Sequence, residues 1–284
     1  MLVSLNELLC KAKKKKFAVG AFNCPNLESI IAVIKAAEKI QCPVILSHAE
    51  IHNSIVPIEI IAPIMLDFAK KSTVPVCVHL DQGTSFEMCI KAIRLGFGSI
   101  MYDASGLDFE TNLSQTREMV RIAHASGVSV EAGLGHIFLA RNRADSAPTL
   151  DDIYTSPQAA KKFVEITGVH AMAIAFGTLH SIYKEKPILD LHRIREIKAA
   201  IDIPLVMHGG SGLAERGFRS VNTNGITKIN YYTYMTLAGG HEVVTRLSGK
   251  TPNDAVFYHY IPLWAAEAMK KNVKEAIRVF SMQA

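Results

Sequence analysis

Thiol pairing is the first thing this sequence lacks. Its five cysteines (Cys10, Cys24, Cys42, Cys77 and Cys89) are odd in number, widely spaced and free of any CxxC pair. That spacing argues against a disulfide framework or a thiolate zinc site and predicts reduced, largely buried thiols. No run approaches 18 uninterrupted apolar residues, so no segment reads as a membrane span. The opening MLVSLNELLCKAKKKK places its basic run after the apolar part and has no small-residue cleavage site, unlike a secretory leader; a soluble, cytoplasmic protein is expected. The net charge is +5, yet Lys13 to Lys16 is the only basic cluster and has no interleaved aromatics. A solvated helix end explains it, and no nucleic-acid partner is expected. No low-complexity tract divides the chain. The GxGxxG loop of a dinucleotide-binding sheet is also missing, because the first strand runs into FNCPN instead.

What is present alternates regularly between two periods. Ser4 and Glu7 form an S-x-x-E pattern that opens a helix to about Lys16. FAVGAF then reads as a strand and NLESIIAVIKAAEKI as an amphipathic helix with Asn26 as N-cap. The alternation continues through PVILS, a helix near Ile55 to Lys71, VPVCVHL, FEMCIKAIRLG, GSIMYD, DFETNLSQTREMVRIAHASG and VSVEAGLG. After a long segment between Gly135 and Ser156 come SPQAAKKFVEITG, AMAIAFG, LDLHRIREIKAA, IPLVMHGG, GLAERGFRSVN and ITKIN. Two further helices follow. Eight short, continuously apolar strands, each followed by a helix, predict a (β/α)8 TIM barrel with an extra N-terminal helix and additional C-terminal helices. At 284 residues and 49% hydrophobic, the chain is expected to form one barrel-sized domain over 1–284. The segment after Gly135 exceeds ordinary loop length and reads as an active-site loop or an excursion.

A barrel concentrates function at the C-terminal ends of its strands. There the sequence places His79, Asp81 and Gln82 on strand three, Glu131 on strand five, and Gly177, Thr178 and His180 on strand six. Strand seven ends in His208, Gly209, Gly210, Ser211 and Gly212, and strand eight in Asn230 and Thr233. His79 and Asp81 share one strand face by period two. Each of these residues has an ordinary structural reading by itself, but their coincidence on one rim points to a site. HGGSG offers small residues, backbone N–H groups and a hydroxyl at a helix start, which suits phosphate. His180 and His208 could hold a divalent ion such as zinc, with Asp81 as acid or base beside it.

These segments, from VGAFNCPNLE through VPVCVHLDQGTSFE, GFGSIMYDAS, GVSVEAGLG, the GTLH stretch, PLVMHGGSG and TKIN, resemble the class II, metal-dependent fructose-bisphosphate and tagatose-bisphosphate aldolases over nearly the whole chain. The resemblance implies an aldehyde-lyase of carbohydrate metabolism, of the glycolytic type. It would cleave a ketose phosphate or bisphosphate to dihydroxyacetone phosphate and an aldehyde. Asp81 matches the catalytic acid/base; His180 and His208 match zinc ligands, with Gln82 at a third ligand position. Asn23, Ser181, Gly209, Ser211, Asn230 and Thr233 match substrate- and phosphate-contacting positions. A homodimer or homotetramer is also implied.

The chain departs from the family pattern at several points. Gln82 stands where the HLDHG motif has a histidine, and its neutral amide is a poorer zinc ligand than imidazole. His136 or His48 is the alternative third ligand. Gly133 replaces the second acid of EAELG, and FLARNR puts Arg141 or a neighbour where the loop acid belongs. Ser181 and Tyr232 replace smaller or acidic residues, and TPNDAVFYHYIP lacks the arginine expected for a second phosphate. Two readings therefore stand: a lyase with an altered site, or a non-catalytic relative that binds a sugar phosphate. Asp103 and Glu131 read as supporting acids, Glu131 either orienting a ligand or hydrogen-bonded in the core. His124, His170, His192, His241 and His259 are placed away from the rim.

Overall fold

A computed structural model of the chain describes residues 1–135, 154–178, 187–251 and 253–283. Eight parallel strands close into a barrel in sequence order: β1 (Val19–Asn23), β2 (Val44–Ala49), β3 (Val76–Gly83), β4 (Ser99–Tyr102), β5 (Ser129–Leu134), β6 (Ala171–Ile174), β7 (Leu205–Met207) and β8 (Ile226–Tyr231). The predicted fold is the one observed, including the helix before β1 and two helices after β8 (Thr233–Leu247 and Tyr260–Phe280).

Local chemistry starts many of the helices. Ser4 accepts from the Glu7 N–H, and Asn26 and Ser29 cap each other's backbone at the start of Leu27–Ile40. Ser85, Asp108, Ser156 and Asp190 accept in the same way from the third residue onward, satisfying donors that have no partner inside the helix. The third helix differs from expectation. It runs Ile58–Lys71, because Pro57 disfavours helical backbone at Val56 and a separate 3-10 turn occupies Glu50–Ser54.

Two layers of apolar contact hold the barrel. The outer layer lies between strands and helices and includes Phe22, Leu46, Phe97, Phe163 and Phe280. The inner layer joins Val19, Ala21, Ile45, Cys77, Met101, Ala173 and Val206 to Leu5, Leu8, Leu9 and Ala12 of the first helix. That helix lies under the barrel, since Val3 donates to the Val76 carbonyl and the Asn6 N–H reaches the Ser129 hydroxyl, both at strand starts. The N-terminal end is thereby filled with hydrocarbon. The charged side chains Asp81, Glu131 and Lys228 are buried further along the lumen. Four of the five cysteines are buried and Cys10 is half-buried; all five are free.

Candidate active site

Alternation along β3 brings Cys77, His79 and Asp81 to one face, and that face is the lumen. Asp81 is 1% exposed. Its two oxygens accept from the Asn23 side-chain amide at 2.8 Å and the Asn230 amide at 3.0 Å, one from β1 and one from β8. Burial pushes its carboxyl up, but His208, Lys228, His79 and the Asn23 amide outweigh that and hold it below the ordinary range. Asp81 is thus kept as a carboxylate at the barrel mouth.

Immediately after it, the β3–β4 register shifts between Leu80 and Gly83, and Gln82 takes φ +51°. A left-handed non-glycine residue in a bulge carries a cost of roughly 1–2 kcal/mol. The bulge breaks the alternation and places Gln82 in the lining of a cavity of about 470 Å³, together with Glu50, Ile51, Thr84, Asp103, Ser105 and Gly106. In that wall Asp103 Oδ1 accepts from the Ser105 N–H at 3.1 Å and its hydroxyl at 2.6 Å, while burial raises the carboxyl. Glu50 accepts from the Thr84 N–H and hydroxyl and from the Ser85 hydroxyl. Gly133 stands beside this wall, where an added Cβ would meet Ser105 Cβ at 3.3 Å and Asp103 Oδ1 at 3.4 Å.

Below Asp81 lies a charged hub that the sequence reading missed in part. Glu131 accepts from Lys228 Nζ at 2.7 Å and from His208 Nε2 at 2.9 Å, with all three side chains fully buried. Glu131 is thus a hydrogen-bonded core carboxylate, and one of its partners is His208. Burial works against its charge, but Lys228 and the two histidines hold it well below the usual carboxylate range. His79 packs at the same level, its Nδ1 2.7 Å from the Ser99 hydroxyl and its Nε2 3.8 Å from Glu131. Lys228 was open to detection: it sits two residues before Asn230 and so shares its inward face.

The test for a metal ion rests on the donors present. His208 Nε2 faces Glu131 and Nδ1 lies 3.4 Å from the Asn230 amide nitrogen; a proton on Nε2 would make this the carboxylate–histidine arrangement typical of metal ligands. That much fits a divalent cation. Among the described residues, no three His, Cys, Asp or Glu side chains converge as a metal cluster. His180 and Ser181 lie outside the described residues, as do His136 and Arg141. His48 is unsuited as a replacement. Ile45 belongs to the lumen layer, so alternation places Ser47 inside and turns His48 to the helix side of β2. There it is wholly buried, and burial lowers it to about 4.

On the opposite side of the mouth, the residues expected to hold phosphate are assembled. Gly209 has φ +68°, and an added Cβ at Gly210 would come within 2.9 Å of the Asn230 carbonyl, so the loop can pass β8 only without side chains. Ser211 accepts from the Tyr232 N–H at 3.2 Å, and Thr233 begins helix Thr233–Leu247, whose N-terminus suits an anion. Buried side-chain atoms without partners collect at the same end: Asn23 Oδ1, Ser47 Oγ, Thr178 Oγ1 and Asn230 Oδ1. Unmet hydrogen-bonding groups at a barrel mouth are suited to receive a polar ligand. The histidines set aside from the rim stay off it in at least one clear case, His170, which accepts from the Val130 N–H beside the start of β6 and packs against His124.

A closed parallel barrel with an ionised carboxylate, a carboxylate-oriented histidine and a phosphate-suited loop at its C-terminal mouth has the layout of a TIM-barrel enzyme acting on a phosphorylated substrate. The family model described as fructose-bisphosphate aldolase class-II matches residues 3–284, and the chain belongs to that family. It is 37% identical to a probable fructose-bisphosphate aldolase of Bacillus subtilis, over 98% of this chain and 97% of that one. It is 36% identical to a fructose-bisphosphate aldolase of Staphylococcus aureus at the same coverage. Among solved structures, the YdjI aldolase from Escherichia coli K12 superposes with a TM-score of 0.87 at 32% identity, covering 99% of this chain and 97% of that one.

Proposed function

We propose that the chain, acting as one barrel domain over 1–284, is an aldolase-type lyase. It cleaves a phosphorylated ketose to dihydroxyacetone phosphate and an aldehyde by metal-assisted retro-aldol chemistry. The observation that carries this is Asp81: a buried carboxylate clamped by Asn23 and Asn230, kept charged, across the mouth from a loop built for phosphate. Gly209, Ser211, Asn230 and Thr233 hold the phosphate, and Asn23 contacts the substrate. Asp81 takes the proton of the C4 hydroxyl. As the C4–O carbonyl forms, the C3–C4 bond breaks and its electron pair stays on C3 of the ketose-phosphate fragment, which then takes a proton from solvent at C3 to become dihydroxyacetone phosphate, while Asp81 returns its proton to solvent. A divalent ion such as zinc, held by His208, His180 and Gln82, would supply positive charge next to the ketose carbonyl. The fully buried hub of Glu131 and Lys228 keeps His208 in one tautomer and orientation throughout. A soluble, cytoplasmic dimer or tetramer fits the family.

The test pairs metal content with cleavage of a panel of ketose phosphates. Wild-type protein should hold about one zinc per chain and cleave at least one member of the panel. Asp81→Asn should lose ~10²–10⁴-fold in rate with metal content unchanged. A wild-type rate in that variant would remove Asp81 from the chemistry. A wild-type protein that takes up no zinc and cleaves nothing would leave the non-catalytic, sugar-phosphate-binding reading, which Gln82 favours.

A further inference from the structure

We infer that the aldehyde half of the substrate carries no phosphate: the site is built for a ketose with a single phosphate and a neutral, polyhydroxylated far end. This rests on the lyase reading above and deepens it.

The first ground is topology. In a closed barrel of eight strands in sequence order, β3 and β4 stand across the mouth from β7 and β8. A ketose anchored by its phosphate at Gly209, Ser211 and Thr233 therefore extends over Asp81 toward the ends of β3 and β4. The space waiting there is the cavity of about 470 Å³ lined by Glu50, Gln82, Thr84, Asp103, Ser105 and Gly106. The second ground is its charge. Two carboxylates line it, and no lysine or arginine does so among the described residues. Glu50 is pinned in place by Thr84 and Ser85, and Asp103 by Ser105, so neither can readily swing aside. A phosphate entering this wall would meet like charge with no compensating cation among the described lining residues, an arrangement that discriminates against it. Sugar hydroxyls, by contrast, find acceptors on Glu50 and Asp103 and both donor and acceptor on Gln82.

The structure also supplies a variant that should reverse the preference. An added Cβ at Gly106 meets nothing within 4 Å, and its φ is not left-handed. Gly106→Lys therefore places a cation on the cavity rim without a clash. The experiment runs the reaction in the condensation direction on zinc-loaded protein, combining dihydroxyacetone phosphate with glyceraldehyde or with glyceraldehyde 3-phosphate. Wild type should favour the unphosphorylated aldehyde in kcat/KM by about tenfold or more, with the preference shrinking as salt is raised. Gly106→Lys should raise the ratio of kcat/KM for the phosphorylated over the unphosphorylated aldehyde by about tenfold, and an unchanged ratio would count against the cavity as the aldehyde site. A wild-type preference for glyceraldehyde 3-phosphate would overturn the inference and leave the lyase reading standing. Condensation with neither aldehyde, together with no zinc uptake, would overturn both.

Discussion

Replacing Lys228 by methionine tests the hub that positions His208. The substitution keeps length and hydrophobic volume but removes the buried ammonium that contacts Glu131, whose side chain is fully buried. The carboxylate would then be left with His208 at 2.9 Å and His79 at 3.8 Å. Removing one partner of a buried ion pair typically costs about 3–5 kcal/mol, because the remaining charge is uncompensated. Against a total stability of about 5–15 kcal/mol, that is a large fraction. The assay is urea unfolding followed by far-UV circular dichroism at pH 7, with chelator present so that metal binding does not add to either protein's stability. The midpoint should fall sharply for Lys228→Met. Adding Glu131→Gln should restore much of the loss, since the amide is neutral and can still accept from His208. The pH dependence has a definite sign. In wild type the Glu131 pKa is depressed, so its stabilising contribution is present at neutral pH and is lost on acidification. In Lys228→Met burial acts without the lysine and raises the pKa, so the penalty is present at neutral pH and fades below the unfolded value of ~4.3. The gap between the two proteins should therefore narrow toward pH 4. A Lys228→Met protein within about 1 kcal/mol of wild type, or a double variant no better than the single one, would refute the hub as a buried ion pair.

Two other outcomes follow from the same geometry. Burial holds His48 at about 4 and His79 at about 3, while the unfolded chain binds those protons near pH 6.5. Stability should consequently fall as pH drops from 6.5 toward 4, by about 3 kcal/mol for His48 alone; a melting temperature flat between pH 6.5 and 5 would contradict this. Gln82→His should tighten zinc binding by about tenfold or more in competition with a chromophoric chelator, since histidine tolerates left-handed backbone and supplies an imidazole donor. Unchanged affinity would mean that the side chain at this position faces the acidic cavity and never the ion.

How much of this was legible beforehand depended on whether a feature is local. The helix starts at Ser4, Asn26 and Ser85 could be read because a cap and its target lie three residues apart, and the strands because a parallel barrel buries both faces. The shared face of His79 and Asp81 followed from period two. The third helix began three residues late, since an X-Pro step and a 3-10 turn are decided by details finer than periodicity.

The charged hub belongs to the other kind of feature. Glu131, His208 and Lys228 come from β5, β7 and β8, and Asp81 from β3 is clamped by residues 58 and 149 positions away. No local rule pairs residues at such separations. The sequence could supply the donors and acceptors and the faces on which they stand. Only closure of the barrel and the stagger between its strands determined which carboxylate met the lysine and which the two asparagines. The bulge at Gln82 is likewise a tertiary outcome, because one extra residue in β3 relative to β4 has no signature until the two strands are paired. Intrinsic preference therefore determined the elements and their inward faces. The meeting of those faces in a water-poor lumen, where every charge must find a partner, decided the site.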